Sequence, residues 1–314
     1  MKKMNFQNKK ILVVGDSILD VTLHTEALGV SLESPTLKVA KRQEEHSFGG
    51  AANVVENLLS LGARCSYITP VGADEYEKHY DQWNHPLLNL QKVTTYKKNN
   101  VKTRIWVSRG ENKYKYLQIN QTDSTLLSQA DQEKVIFKIE AMLPSHDIIL
   151  LVDYGLGIFS AANIKKILSI AKKLNIPSMA SSQISDGANR YPLFVGATYM
   201  CMNENEAQNN YKDFAADEFG IDKLSTQMKS HVCVTLGNKG SLFKKTDKVV
   251  YHKGYEVDVV DTCGAGDSFL AAFALNPKTD SMQMCNLWAA LSTTHYGTKC
   301  STLVEFDEFI RKNS

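Results

Sequence analysis

No apolar run in the 314-residue chain reaches the ~18 residues that a membrane-spanning helix needs, so no transmembrane segment is indicated. The six cysteines (Cys65, Cys201, Cys233, Cys263, Cys285, Cys300) are scattered, with no Cys-x-x-Cys pair and no histidine cluster beside them. That removes a cysteine-based metal site, and a disulfide framework does not suit a chain of this length. Neither sign of charge is in excess. Lys plus Arg number 36 against 34 Asp plus Glu, a net charge of +2, which gives no electrostatic basis for nucleic acid or a membrane as main partner. The Gly-x-x-x-x-Gly-Lys-[Ser/Thr] loop and the protein-kinase motif set are also missing. Met1 to Lys10 is basic and polar, without the apolar centre of a secretory signal, so the expectation is a cytoplasmic protein.

What remains is an ordinary globular composition, 43% hydrophobic and 22% charged, able to bury a large core. Length alone allows two domains or one large α/β unit. No repeat, low-complexity tract or linker interrupts the chain, so a single unit over residues 1–314 is expected. Ile11 to Val14, ended by Gly15 and Asp16, has the pattern of a buried parallel strand. Similar runs recur at Cys65–Val71, Asp147–Val152, Thr198–Met202 and Val232–Leu236, with helix-spaced Ile164, Ile167, Leu168, Ala171 and Leu174 between two of them. The alternation predicts an α/β fold, a mostly parallel sheet with helices on both faces and ligand-binding loops along one edge. Two segments break it, near residues 17–45 and 96–120. Val101–Val107 and Lys113–Ile119 alternate polar and apolar residues, which predicts antiparallel strands outside the main sheet.

The most informative stretch is Asp261-Thr262-Cys263-Gly264-Ala265-Gly266-Asp267-Ser268, followed by the apolar run Phe269 to Phe273. A Gly-rich turn opening a helix offers unpaired N–H groups at the positive end of the helix dipole, a ready anion site. A carboxylate in that turn repels a resting anion. It suits a phosphoryl group in transit, where Asp267 takes a proton from the attacking hydroxyl. A tight turn whose Asp caps the helix is the alternative. Cys263 is read as packing rather than as a nucleophile.

Asp-Thr-x-Gly-Ala-Gly-Asp-[Ser/Thr] resembles the C-terminal signature of the ribokinase-like (PfkB) carbohydrate kinases. Gly49-Gly50-Ala51-Ala52-Asn53, a glycine pair followed by Asn, resembles the N-terminal signature of the same family. The resemblance implies a ribokinase-like sheet with a small β lid over the sugar, often doubling as a homodimer interface. It implies ATP and Mg²⁺, Asp267 as base and the Gly264, Ala265 and Gly266 amides as phosphate cradle. Gly49, Gly50, Asn53, Asp16 and Asp20 would then form the sugar floor. Asn203-x-x-Glu206 resembles the motif that positions Mg²⁺ through water, although a helix N-cap explains it as well. Thr235-Leu236-Gly237-Asn238-Lys239-Gly240 resembles a nucleotide-binding turn, which with Thr262 would meet the phosphates; a plain hairpin between strands is the alternative.

A narrower resemblance is to the heptose-phosphate kinases. It rests on Gly15-Asp16-x-x-x-Asp20, Ser34-Pro35, Thr103-Arg104, Asp153-Tyr154 and Gly297-Thr298. Arg104, Arg109 and Lys102 are the cations that a phosphorylated acceptor would want, with a solvated charged face as the alternative. Two departures stand out. Ser31-Leu32-Glu33 lacks an expected Arg, and Ala180-Ser181-Ser182-Gln183 stands where the family has a strand ending Asp-Pro-Lys. The expected activity is transfer of the ATP γ-phosphate to a hydroxyl of a sugar or sugar phosphate, D-glycero-D-manno-heptose 7-phosphate foremost. The alternatives are a kinase for another sugar or nucleoside, and a non-catalytic sugar or nucleotide sensor. No fused nucleotidyltransferase domain is expected.

Overall fold

The structure, a computed structural model, describes Phe6, residues 8–183 and residues 189–313; most of the basic N-terminal run lies outside them. The strands are β1 (Lys10–Gly15), β2 (Ser17–Val30), β3 (Leu37–Gly50), β4 (Arg64–Gly72), β5 (Leu88–Thr95), β6 (Val101–Arg109) and β7 (Asn112–Gln121). They continue with β8 (Ile148–Asp153), β9 (Ser178–Ser182), β10 (Tyr199–Asn203), β11 (His231–Thr235), β12 (Gly240–Lys245) and β13 (Lys248–Lys253). The helices are α1 (Ala51–Ser60), α2 (Glu77–Gln82), α3 (Gln129–Met142), α4 (Ala161–Lys173) and α5 (Glu204–Asn210). After them come α6 (Glu218–Met228), α7 (Ala265–Leu275), α8 (Met282–Ser292) and α9 (Leu303–Asn313).

Among the described residues, nine strands form one sheet in the order β13-β12-β11-β10-β9-β8-β1-β4-β5. Pairing is parallel from β11 to β5, and β12 and β13 extend the edge antiparallel. The central strand explains the layering. Ile11 and Val13 pack into one core with residues of α1, α7 and α8, while Leu12 and Val14 pack into another with α3, α4 and α6. A strand buried on both faces must be apolar at every position, and these four residues have no exposed surface. From Phe269 onward helix α7 is apolar all round, and every residue from Ser268 to Leu275 is buried, because it is wedged among the sheet, α1 and α8.

Parallel register lines up the strand ends. Asp153 at the end of β8 stands opposite Ser182 of β9, and Asn203 at the end of β10 stands opposite Thr235 of β11. Polar side chains are thereby gathered along one edge, where open α/β sheets bind ligands.

Strands β3-β2-β6-β7 form a second, four-stranded sheet. The expectation of antiparallel strands holds for β2–β3 and β6–β7, but the central pair β2–β6 is parallel. The reason is connectivity. Each outer pair closes through a short turn, whereas β3 leads through α1, β4, α2 and β5 before β6, and such a crossover brings the chain back in the same direction. Among the described residues no helix is long and apolar enough to cross a membrane.

Candidate functional site

Helix α7 begins at Gly264, whose φ of 80° lies in the left-handed region that L side chains avoid. An added Cβ there would also stand 2.7 Å from the Asn53 amide nitrogen. Glycine therefore sets both the turn and the approach of α1. Asp267 follows in the first turn of α7. Asn53 Nδ2 donates to its Oδ2 at 2.8 Å, and the Tyr154 hydroxyl donates to its Oδ1 at 2.5 Å. Burial pushes the Asp267 carboxyl up to about 6, assisted by Asp20 and opposed by the Tyr154 and Asn53 hydrogen bonds and by Lys102. The residue as a whole is only partly buried and lines a cavity. A carboxylate tuned near neutrality, held by two donors and open on one side, is equipped to accept a proton.

Asp267 and Gly266 line a cavity of about 60 Å³ together with Asn203, Glu206, Thr235, Ser181 and Gln183. With Val152, Asp153 and Tyr154, five separate segments of the chain thus converge on a space little larger than a phosphoryl group. A Cβ on Gly266 would touch nothing within 4 Å, so its backbone is open on that side. The Ala265 N–H, by contrast, is turned back to the Thr262 carbonyl at 3.3 Å. Thr262 itself is exposed.

Asn203 and Glu206 form a reciprocal cap on α5: Asn203 Oδ1 accepts from the Glu206 N–H, and Glu206 Oε2 accepts from the Asn203 N–H, each at 2.8 Å. The Tyr191 hydroxyl adds a third hydrogen bond, 3.0 Å, to Glu206. The helix-cap explanation of the Asn-x-x-Glu motif is therefore correct as structure. Both residues also face the cavity, where oxygen donors of this kind suit Mg²⁺ held through water. Thr235 and Gly237 lie at the β11–β12 hairpin, and Gly237 is open around its Cα. Gly240 is packed instead, since a Cβ would meet the His252 carbonyl at 2.0 Å.

The second sheet contributes a buried ion pair. Arg104 lies opposite Thr22 on β6, one diagonal step from Asp20, and its Nη1 donates to Asp20 Oδ1. Thr298 donates to Asp20 Oδ2 at 3.3 Å, and Gly49 leaves room, because a Cβ would come within 2.5 Å of that oxygen. A larger cavity of about 720 Å³ opens beside this cluster, lined by Arg104, Thr298, His24, Trp106, Lys113 and Tyr296 among others.

Asp16 is not brought to either cavity. It is fully buried, and its carboxylate accepts the backbone N–H groups of Tyr154, Leu156 and Ile158 at 3.3, 3.1 and 3.2 Å. It anchors the loop that carries Tyr154. Gly50, with φ 64°, joins β3 to α1 against the Asp16 carbonyl. Arg109 ends β6 exposed at the hairpin, away from both cavities. The segment Ser181–Gln183 has no cation of its own, but Arg190 Nε reaches Asp153 Oδ2 at 2.7 Å, beside the Ser182 hydroxyl at 3.1 Å. Tyr154 and Thr298 stand in the sequence only as motif residues of the narrower resemblance, without a role, and Arg190 carries no sequence signal. The signal for Tyr154 was its place directly after a buried strand ending in Asp.

Residues 8–303 match the model of the pfkB family of carbohydrate kinases. Two curated relatives carry the name bifunctional protein HldE. The one from Campylobacter curvus is 29% identical over 97% of this chain, and the one from Campylobacter jejuni subsp. doylei is 29% identical over 96%. The chain spans 66% and 64% of their respective lengths. Among solved structures, phosphofructokinase-2 from Escherichia coli in complex with substrates and products superposes with a TM-score of 0.78 at 15% identity, covering 97% of this chain and 99% of that one. Arabidopsis thaliana ribokinase complexed with ribose and ATP gives 0.68 at 16% identity, covering 96% and 99%. The fold is thus ribokinase-like, and the chain belongs to the pfkB family of carbohydrate kinases.

Proposed function

We propose that this kinase phosphorylates a hydroxyl of a sugar phosphate, with D-glycero-D-manno-heptose 7-phosphate as the acceptor. The observation that carries the reading is the position of Asp267. Its carboxylate is held by Asn53 and Tyr154, lines the 60 Å³ cavity and is next to the Asp20–Arg104 cluster. The acceptor hydroxyl gives its proton to Asp267 as its oxygen attacks the γ-phosphorus in line; the bond to the ADP oxygen breaks, and ADP leaves. The α7 N-terminus, through Gly264 and Gly266, meets the charge on the transferred group. Thr235, Gly237 and Thr262 are assigned to the nucleotide side, and the packed Gly240 to shaping their turn.

Asn203 and Glu206 would hold Mg²⁺ through water. When bound, the ion neutralises phosphate charge. Lys113 and Lys299 line the larger cavity beside Arg104, whose charge is shared with Asp20, and these cations favour an anionic acceptor over a neutral one. The narrower motif resemblance, and the HldE name of the relatives, favour the heptose phosphate within that class. The second sheet serves as a lid on the acceptor. Its edge strand β7 is exposed along its whole length, with Tyr116, Leu117 and Ile119 bare, which suits a homodimer through the lid.

The test is ADP release from ATP and Mg²⁺ across free sugars, sugar phosphates and nucleosides. Turnover with heptose 7-phosphate, and little with neutral sugars, is the expected result. Efficient turnover with a neutral sugar or a nucleoside, and none with the heptose phosphate, would overturn the substrate assignment.

A further inference from the structure

A line of hydrogen bonds runs from the buried interior to the base. Trp288 of α8 has no exposed surface, and its indole Nε1–H donates to Asn57 Oδ1 at 2.8 Å. Asn57 Nδ2 then donates to the Asn53 backbone carbonyl at 2.9 Å and to Asn53 Oδ1 at 3.2 Å. Asn53 Nδ2 in turn donates to Asp267 Oδ2 at 2.8 Å. We propose that Trp288 and Asn57 are positioning residues that fix which end of the Asn53 amide faces Asp267.

The argument is one of polarity. An amide side chain has a donor end and an acceptor end of nearly equal size, so shape alone does not choose between them. An indole N–H is donor only, and a backbone carbonyl is acceptor only. Asn57 sits between one of each, so its orientation is forced. That orientation presents N–H to Asn53 Oδ1, which leaves the Asn53 N–H for the base. Asn53 and Asn57 are each 1% exposed, so water does not substitute for a lost partner. Trp288 is itself held edge-to-face on Phe306, with ring centres 5.1 Å apart. Without the indole N–H, the Asn57 oxygen loses its partner, only the Asn53 backbone carbonyl still orients the amide, and its hold on Asn53 Oδ1 weakens. A reversed Asn53 would put a carbonyl oxygen against the Asp267 carboxylate and favour its protonated form.

The other groups facing Asp267 are Tyr154 from the loop after β8, Asp20 from β2, Lys102 from β6 and Cys263 from the turn before α7. None is altered by changes at Trp288 or Asn57.

The kinetic readout rests on Asp267 acting as the proton acceptor, so a second readout is independent of it. Trp288→Phe and Asn57→Leu are compared with Leu291→Ala, which loosens the α8 packing without touching the relay. Thermal melts identify which variants fold. The Asp267 carboxyl is titrated by carbon NMR, its signal identified by its loss in Asp267→Asn, alongside the pH profile of kcat/KM. Loss of a hydrogen bond to a charged group corresponds to about one pKa unit. The Asp267 titration and the acid limb are expected to rise by about that much in Trp288→Phe and Asn57→Leu, and to stay put in Leu291→Ala. An unmoved titration in either folded relay variant, or an equal shift in the packing control, overturns the proposal. A titration that moves while the acid limb does not supports the relay and removes Asp267 from the base role.

Discussion

Tyr154 Oη lies 2.5 Å from Asp267 Oδ1 and donates to it from a ring that is only 8% exposed. Burial holds the Asp267 carboxyl above its usual range, and the tyrosine hydrogen bond pulls it part of the way back. Tyr154→Phe removes that pull, so the group should titrate above its present value of about 6. Since the deprotonated form is the active one, activity is lost as pH falls through this value. The acid limb of kcat/KM should therefore move to higher pH, with a modest loss at pH 8 and a larger one near pH 6. A profile taken from pH 5 to 9 checks it. An unchanged acid limb would show that the tyrosine does not tune the base.

Asp267→Asn keeps the shape and the Asn53 contact while removing the proton acceptor. The loss of general-base assistance should lower kcat about 10²- to 10⁴-fold. ATP binding, followed by calorimetry, and the melting temperature should change little. Turnover close to wild type would remove Asp267 from the base role.

Much of this site was legible in the sequence because glycine and carboxylate spacing reports on backbone geometry directly. Gly264 has a positive φ and a close neighbour in Asn53, and both signatures lie where a turn opens a helix. The buried strands were equally visible, since β1 and β8 are apolar at nearly every position. Edge strands were not. β5 and β13 mix polar and apolar residues without strict alternation, so their sequence signal is weak. Asp16 shows the other limit. Its place after β1 suggested a sugar ligand, but only the fold reveals that three loop amides converge on it. The Asn203–Glu206 pair shows why local motifs are ambiguous, for the same two residues cap α5 and line the cavity.

The Asp20–Arg104 pair is shielded, with side chains 4% and 11% exposed. Removing one member leaves the other charge buried and unmatched, which typically costs about 3–5 kcal/mol. Arg104→Met should therefore lower stability markedly. Arg104→Met combined with Asp20→Asn should recover part of that loss, since no charge is then stranded. Chemical denaturation of the two variants measures this. A double variant no more stable than Arg104→Met would mean that the loss comes from packing of the Arg104 stem.

Gly264→Ala should harm catalysis more than stability. The left-handed φ costs about 1–2 kcal/mol for an L residue. The added methyl also falls 2.7 Å from Asn53 Nδ2, which must move away from Asp267. The expected outcome is a folded protein with kcat reduced at least tenfold and an acid limb displaced upward. A variant with normal kcat would show that Asn53 tolerates displacement.

Asp16 should leave a signature in stability rather than in turnover. Its carboxyl is pushed up to about 7 by burial, with Asp153 adding to the rise and the three loop amides opposing it. Its ordinary value is 3.8. Between about pH 4 and 7 the folded chain therefore holds this proton more readily than the unfolded chain does. Raising pH through that window lowers stability, and the dependence ends above 7. Asp16→Asn removes the titrating group and turns an amide toward one of the converging N–H donors, so the variant should be less stable at every pH. The gap to the parent should be widest near pH 4 and narrow steadily toward pH 8. Melting temperatures of both proteins across that range measure it. A gap independent of pH would mean that Asp16 is ionised throughout, with the loop amides outweighing burial.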